Sequence, residues 1–253
     1  MTLVQQSRFL RTTVACVSVV FFLCLGASGV AAQKKFSRTY PAGQTVRLKL
    51  LNRTGTVTVE GWDRQEVRIE ATLEAPAANI TPQSLSGEIV VNLVRDNEGR
   101  GEVGNVNFAI RVPFYTMVDI ETVIGNLSVS NISSGLVRAH ISSEGDIVLL
   151  NIGASNVAAE NVMGNIFFDG ELQDGGTYRF SSVKGDIGLR IPTNSSFRVV
   201  ATAPSTRDIV FYQCQSPDLT LLGDGRRMIG KCGAGSASLS VTNQRGSIKF
   251  FKR

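Results

Sequence analysis

Three aspartates, Asp146, Asp186 and Asp208, follow the same point of a recurring turn, and Asn126 and Asn165 hold that place in two other copies. Carboxylate and amide oxygens in a row are ligands that a calcium ion takes. If the copies stack at about 4.8 Å, these side chains form a ladder along one edge. Against calcium, the asparagines dilute the charge, and the calcium-binding G-G-x-G-x-D repeat is absent. Asn and Asp also belong in turns for their own backbone chemistry. No metal site is expected.

Two nucleotide-like patterns fail on context. GRGEVG at 99–104 matches G-x-G-x-x-G, but it leads into NVNFAIRVP, which reads as a strand and not as a helix whose N-terminus meets a pyrophosphate. GRRMIGKC at 225–232 imitates a phosphate-binding loop, with Cys232 where Ser or Thr must hold magnesium. His140 is the single histidine, so any Ser-His-Asp arrangement would rest on it, and its neighbours Ser142 and Ser143 are explained by the turn. One histidine and, beyond the N-terminal apolar run that holds Cys16 and Cys24, two cysteines that read as oxidised leave nothing for zinc. Lys184, Arg190 and Arg198 are types that a lyase groove on a β-helix needs, yet spacing does not select them over solvated strand residues. Trp62 reads as a core or capping indole in preference to a sugar platform. The sequons at Asn52 and Asn126 coincide with the turn pattern and read as turns. No catalytic, cofactor-binding or metal residues are assigned.

The elements that carry these residues repeat. Gly125, Gly145, Gly164 and Gly185 are spaced 20, 19 and 21 apart; Gly55 opens the series, Gly246 closes it, and TRDIVF is a degenerate copy with Arg207 at the glycine position. Self-similarity near 20 residues marks units that stack on their neighbours. Three residues before the glycine stands Asn52, Thr122, Asn161, Ser182 or Asn243. Such a side chain folds back on its own backbone while glycine takes a positive φ, so these six glycines are structural turns. Apolar residues alternate on both sides, as in Tyr178 and Phe180 before the turn and Ile187 and Leu189 after it, which is the period of a strand with one buried face. In RAHISSEGDIVL a one-residue bulge is expected to turn Val137, Ala139 and Ile141 inward and leave His140 outside. No stretch has a convincing helical period. The expected fold is all-β: a single-stranded parallel β-solenoid of about 20-residue coils, with an N-terminal β cap. An antiparallel meander is the alternative, disfavoured because hairpin loops tolerate drift that these spacings lack.

At the N-terminus, Arg8 and Arg11 precede an apolar run from Thr12 to Leu25 and the small residues ASGVAA, the pattern of a cleaved export signal. The run is shorter than the roughly 20 residues of a spanning helix, so no stable membrane span is expected after cleavage. Domains are expected at 1–32 (signal), 33–113 (β cap) and 114–253 (repeats), the last two forming one continuous domain. Removing the signal lowers the net charge from +5 to about +3, too mild to imply nucleic acid. Cys214 and Cys232 remain, an even pair in an oxidising compartment, and read as a disulfide.

GTVTVEGW at 55–62, FAIRVP at 108–113 and the serial turns at 122–129, 142–149, 161–168, 182–189 and 243–250 resemble a bacterial family of exported adhesin-like proteins. That family is a domain of unknown function, similar to the heads of autotransporter adhesins. The resemblance spans nearly all of the chain after the signal and implies an exported β-solenoid without established catalytic residues or cofactors. TRDIVF and the long loop at 213–235 depart from it. The expected function is that of a non-enzymatic envelope or surface protein, periplasmic or secreted. It would bind a polysaccharide or another envelope component, or act as a scaffold. The alternatives are an envelope-stress or ligand-sensing partner of a membrane signalling protein, and, from another class, a polysaccharide-active β-helix enzyme.

The cysteine reading has a direct test. Peptide mapping under non-reducing conditions is expected to recover Cys214 linked to Cys232, and reduction to lower stability by roughly 3 kcal/mol. Two free thiols would refute the pairing.

Overall fold

The computed structural model describes residues 33–43, 45–211 and 218–253. The export-signal reading at 1–32 and Cys214 lie outside the described residues, while Cys232 is buried. Residues Gln33–Arg253 form one compact unit.

The chain runs β1 (Lys34–Pro41), β2 (Arg47–Leu51), β3 (Val57–Trp62), β4 (Glu66–Leu73), β5 (Gln83–Leu85), β6 (Glu88–Asn92), the one-turn helix α1 (Leu93–Asp96) and β7 (Val106–Pro113). The repeats follow as strand pairs: β8 (Met117–Ile124) and β9 (Leu127–Ile132), β10 (Val137–Glu144) and β11 (Ile147–Ile152), β12 (Asn156–Met163) and β13 (Ile166–Gly170), β14 (Thr177–Lys184) and β15 (Ile187–Ile191). Then come β16 (Phe197–Thr202), β17 (Ile209–Phe211), β18 (Thr220–Leu222), β19 (Arg227–Cys232), β20 (Ala237–Arg245) and β21 (Ile248–Lys252). In each repeat the strand before the glycine joins an 11-stranded sheet, here sheet I, and the strand after it joins a 10-stranded sheet, sheet II.

Parallel register carries like residues onto like. Leu127, Ile147, Ile166, Ile187 and Ile248 stack in sheet II, and Val118, Val137, Val157, Tyr178 and Leu239 stack in sheet I, all buried. Both sheets turn these rows into one core, where Phe168 of sheet II meets the rings of Tyr178 and Phe180 of sheet I. β10 holds the bulge: its register shifts between Ile141 and Glu144 against both neighbours, Val137, Ala139 and Ile141 are buried, and His140 lies on the outer face.

A simple single-stranded coil describes this fold only in part. Both sheets are mixed, parallel through the repeats and antiparallel at the ends, where β1 pairs with β4, β4 with β7, β5 with β6, and β19 with β16 and β18. Stacking order also leaves chain order at both ends. β2 and β3 lie against β8 and β9, inside the stack, while β6 and β7, later in sequence, lie outside them. At the other end β20 and β21 slot between the β14–β15 pair and β16 and β17.

The glycines stack on one another. A Cβ on Gly125 would collide with the carbonyl oxygen of Gly55; Gly145 stands in the same relation to Gly125, Gly164 to Gly145, Gly185 to Gly164 and Gly246 to Gly185. Their φ values run from +111° to +153°, the region that glycine alone enters without strain. Arg207 takes the glycine position of TRDIVF with φ +58°, outside the range of the six glycines, and the strand of that copy, β17, is the edge of sheet II.

In urea unfolding, Gly164→Ala is expected to cost about 3 kcal/mol or more, while Gly135→Ala, with open space around it, stays within about 0.5 kcal/mol. Arg207→Gly is expected to gain about 1 kcal/mol by relieving a left-handed residue. Equal losses for both alanine variants would mean that the stack does not depend on the column.

Candidate binding groove along the glycine corner

The corner between the sheets is hydrogen-bonded rung by rung. The Gly125, Gly145 and Gly164 N–H groups each donate at 2.8 Å to the carbonyls of Glu144, Met163 and Lys184 in the next rung. The residue after each glycine uses a side chain instead. Asp146 N–H donates to Asn126 Oδ1 at 3.0 Å, Asn165 N–H to Asp146 Oδ1 at 2.6 Å, Asp186 N–H to Asn165 Oδ1 at 2.9 Å, and Ser247 N–H to Asp186 Oδ1 at 2.8 Å. Asn and Asp recur here because an unpaired amide at a packed corner is costly, and only a short side chain with an acceptor oxygen reaches the next rung.

The polar residue three places before the glycine works inside the core. Asn161 Nδ2 donates to Gly145 O at 3.1 Å, Asn243 Nδ2 to Gly185 O at 2.7 Å, and Ser182 Oγ to Gly164 O at 3.4 Å. Folding back onto the own turn, as expected from the spacing, describes only part of this set: Asn52 Nδ2 donates to Thr54 O at 3.3 Å, and Asn243 Nδ2 also to Ser247 O at 3.0 Å. The main bond crosses to the adjacent rung, because the stack places the neighbour's glycine carbonyl over the buried side chain.

Over this corner runs a groove of about 550 Å³. Gly125, Gly145, Gly164 and Gly185 form its floor, Ile124, Glu144, Met163 and Lys184 one wall, and Asn126 and Asp146 the other. Asn165 and Asp186, the next acceptors of the ladder, are exposed beyond the groove's lining. Beside the first wall Val123, Val162 and Val183 are exposed, as are Ile124 and Met163, at 38–46%. This apolar strip is interrupted where the β10 bulge presents Ser143 and Glu144 and where Lys184 follows Val183.

The other residues singled out in the sequence do not converge. Lys184 lines the groove, Arg190 is ion-paired with Asp169 on the outer face of sheet II, and Arg198 lies in β16 of sheet I opposite Lys231. His140 stands 3.7 Å from Glu160 on sheet I. Trp62 donates its indole N–H to Glu66 O at 2.8 Å and lies under Arg64 and Arg111, a capping arrangement. GRGEVG precedes a strand, and RMIGKC is itself β19. Among the described residues no group of three or more His, Cys, Asp or Glu is placed to hold a metal. Sequence reasoning missed two buried carboxylates: Asp119 lies between Arg47 and Arg138, each at 3.0 Å, and Asp169 between Arg190 and Arg253. Asp119 ties β8 to its neighbours β2 and β10, and Asp169 ties β13 to β15 and to the residue after β21. It also missed the alternation of Ile124, Glu144, Met163 and Lys184, which aligning the copies on their glycines would have exposed.

The Ser247 N–H bond holds the Asp186 carboxyl below its ordinary value, assisted by the Lys249 charge and opposed by burial. A carboxyl lowered in the folded state contributes stability in full above its ordinary value, and that contribution is lost as pH falls through the lowered one. Asp186→Asn keeps the acceptor oxygen without the titration. Urea midpoints at neutral pH and near pH 3 are expected to fall further for wild type than for this variant; parallel falls would mean that the ladder does not need the ionised carboxylate.

Among proteins with curated descriptions, none matches this chain. Of solved structures, a "putative cell adhesion protein" from Clostridium sporogenes is 11% identical and aligns with a TM-score of 0.54 over 88% of this chain and all of its own; that similarity is one of fold. A "putative adhesin" from Bacteroides fragilis is 9% identical, with a TM-score of 0.37 over 88% of this chain and 99% of its own. No helix of the described residues is long and apolar enough to cross a membrane. The sequence pattern of the Toastrack DUF4097 family matches residues 26–250, and the chain belongs to that family.

Proposed function

We propose that this chain is an exported, non-enzymatic binding module of the bacterial cell envelope, a two-sheet β-solenoid that holds an envelope component along one rigid edge. The observation that carries this reading is the groove over the glycine corner. Its floor is backbone with no freedom to move, and its polar wall is already committed to holding the stack. A preformed site of this kind spends little of its interaction on ordering itself. Such a surface suits a scaffold or adhesin-like role better than turnover, because the carboxylate oxygens bonded to the next rung are not free to shuttle protons. The adhesin-like names of the structural relatives belong to those proteins and accord with this reading.

The test is cosedimentation of the purified chain with isolated envelope material, in parallel with a glycan array. Retention that is saturable and survives moderate salt is expected. A chain that stays in the supernatant with envelope fractions, and is silent across the array, would overturn the reading.

A further inference from the structure

The four rungs of the groove are not equivalent, and their difference has a period of two. Ile124–Gly125–Asn126 and Met163–Gly164–Asn165 pair an apolar side chain with an amide. Glu144–Gly145–Asp146 and Lys184–Gly185–Asp186 pair a charged side chain with a carboxylate. Stacked at about 4.8 Å per rung, the walls repeat every two coils, or about 10 Å. Each ladder side chain spends one oxygen on the next backbone amide. What the ladder leaves unused beside the groove is the Nδ2 of Asn126 and the second oxygen of Asp146; Asn165 and Asp186 repeat this amide–carboxylate order at the next two rungs, beyond the groove's lining. Amide and carboxylate thus alternate along the ladder edge, beside a groove whose other side, Ile124, Glu144, Met163 and Lys184, alternates apolar and charged.

We infer that this groove takes an uncharged, linear β-1,4-linked polysaccharide lying along the glycine column, one sugar to a rung. The inference rests on the binding reading above and names its ligand. Successive rings of a β-1,4 chain are turned over relative to one another, so the polymer has a disaccharide period and shows the two walls alternating faces. The C–H faces of alternate sugars pack on Ile124 and Met163, and hydroxyls meet the free amide and carboxylate atoms. An extended peptide rises about 3.3 Å per residue and falls out of step with the rungs. A polyanion is disfavoured by Glu144, Asp146 and Asp186 against one Lys184. A calcium ion is disfavoured because no two carboxylates are neighbours along the ladder.

Calorimetric titration of the purified chain with fully N-acetylated chito-oligosaccharides, from the disaccharide to the hexasaccharide, tests this. Affinity is expected to rise with length and to level off at the tetra- or pentasaccharide, where four rungs are filled; oligogalacturonates of equal length should not bind. Asn126→Asp keeps the ladder oxygen but replaces a donor by a second neighbouring carboxylate, and Met163→Ser removes an exposed apolar contact. Each is expected to weaken tetrasaccharide binding by about tenfold with an unchanged melting temperature. No binding, affinity independent of length, or variants that bind like wild type would overturn the inference. If the variants still cosediment with envelope material as wild type does, the groove assignment falls and the binding module stands. If wild type neither sediments nor titrates, both fall.

Discussion

The stack depends on one contact, the approach of each glycine carbonyl to the place where the next rung's glycine would carry a Cβ. Parallel strands about 4.8 Å apart leave no volume there once the chain turns between two sheets. Because the same constraint acts at Gly55, Gly125, Gly145, Gly164, Gly185 and Gly246, every rung is held in the same backbone conformation. Like residues then fall on like, and each apolar row becomes continuous. The sheets have length because the corner has no side chain.

A corner without side chains must still satisfy its backbone, and the two polar positions flanking the glycine divide that work. Asn161, Ser182 and Asn243 take up glycine carbonyls from inside, while Asn126, Asp146, Asn165 and Asp186 take up N–H groups from outside. Both sets bond to an adjacent rung, so a turn is completed only by its neighbour. That makes the rungs cooperative in the way expected of a repeat protein, where an isolated unit has no stable form. Asp119 and Asp169, each between two arginines, add ties across the outer faces of the sheets.

The same corner carries a concave surface. Glycine removes the side chains that would fill the floor, and the residues before and after it become walls. Those residues are free to vary, since only the ladder acceptor and the absence of a Cβ are required of the rung. Ile124, Glu144, Met163 and Lys184 therefore differ from rung to rung without disturbing the column. This is the physical ground for seeking function at the edge, away from the flat sheet faces.

Much of the architecture is legible from residue order alone. The glycine spacing, the two-residue alternation around each turn and the polar residue three places earlier determine strands, turns and parallel stacking, because they follow from sterics that act within one rung or between identical rungs. The displaced frame of RAHISSEGDIVL likewise contains its own bulge, since three apolar residues outweigh one imidazole. Only the tertiary structure decided which rung lies beside which. The copies are nearly interchangeable in pattern, so nothing in β20 and β21 announces that they enter between earlier pairs, and only Arg207 betrays in hindsight that its copy is the end. The groove was hidden for the same reason: the ladder of Asn and Asp side chains is legible on one side, but the other wall joins residues about twenty positions apart that share only their place before a glycine. The partners of Asn126 and Asp146 are equally non-local, and a local turn rule sends their side chains to the wrong backbone. Order along the chain specifies the rung; the contacts between rungs, which require the neighbour to be present, specify the site.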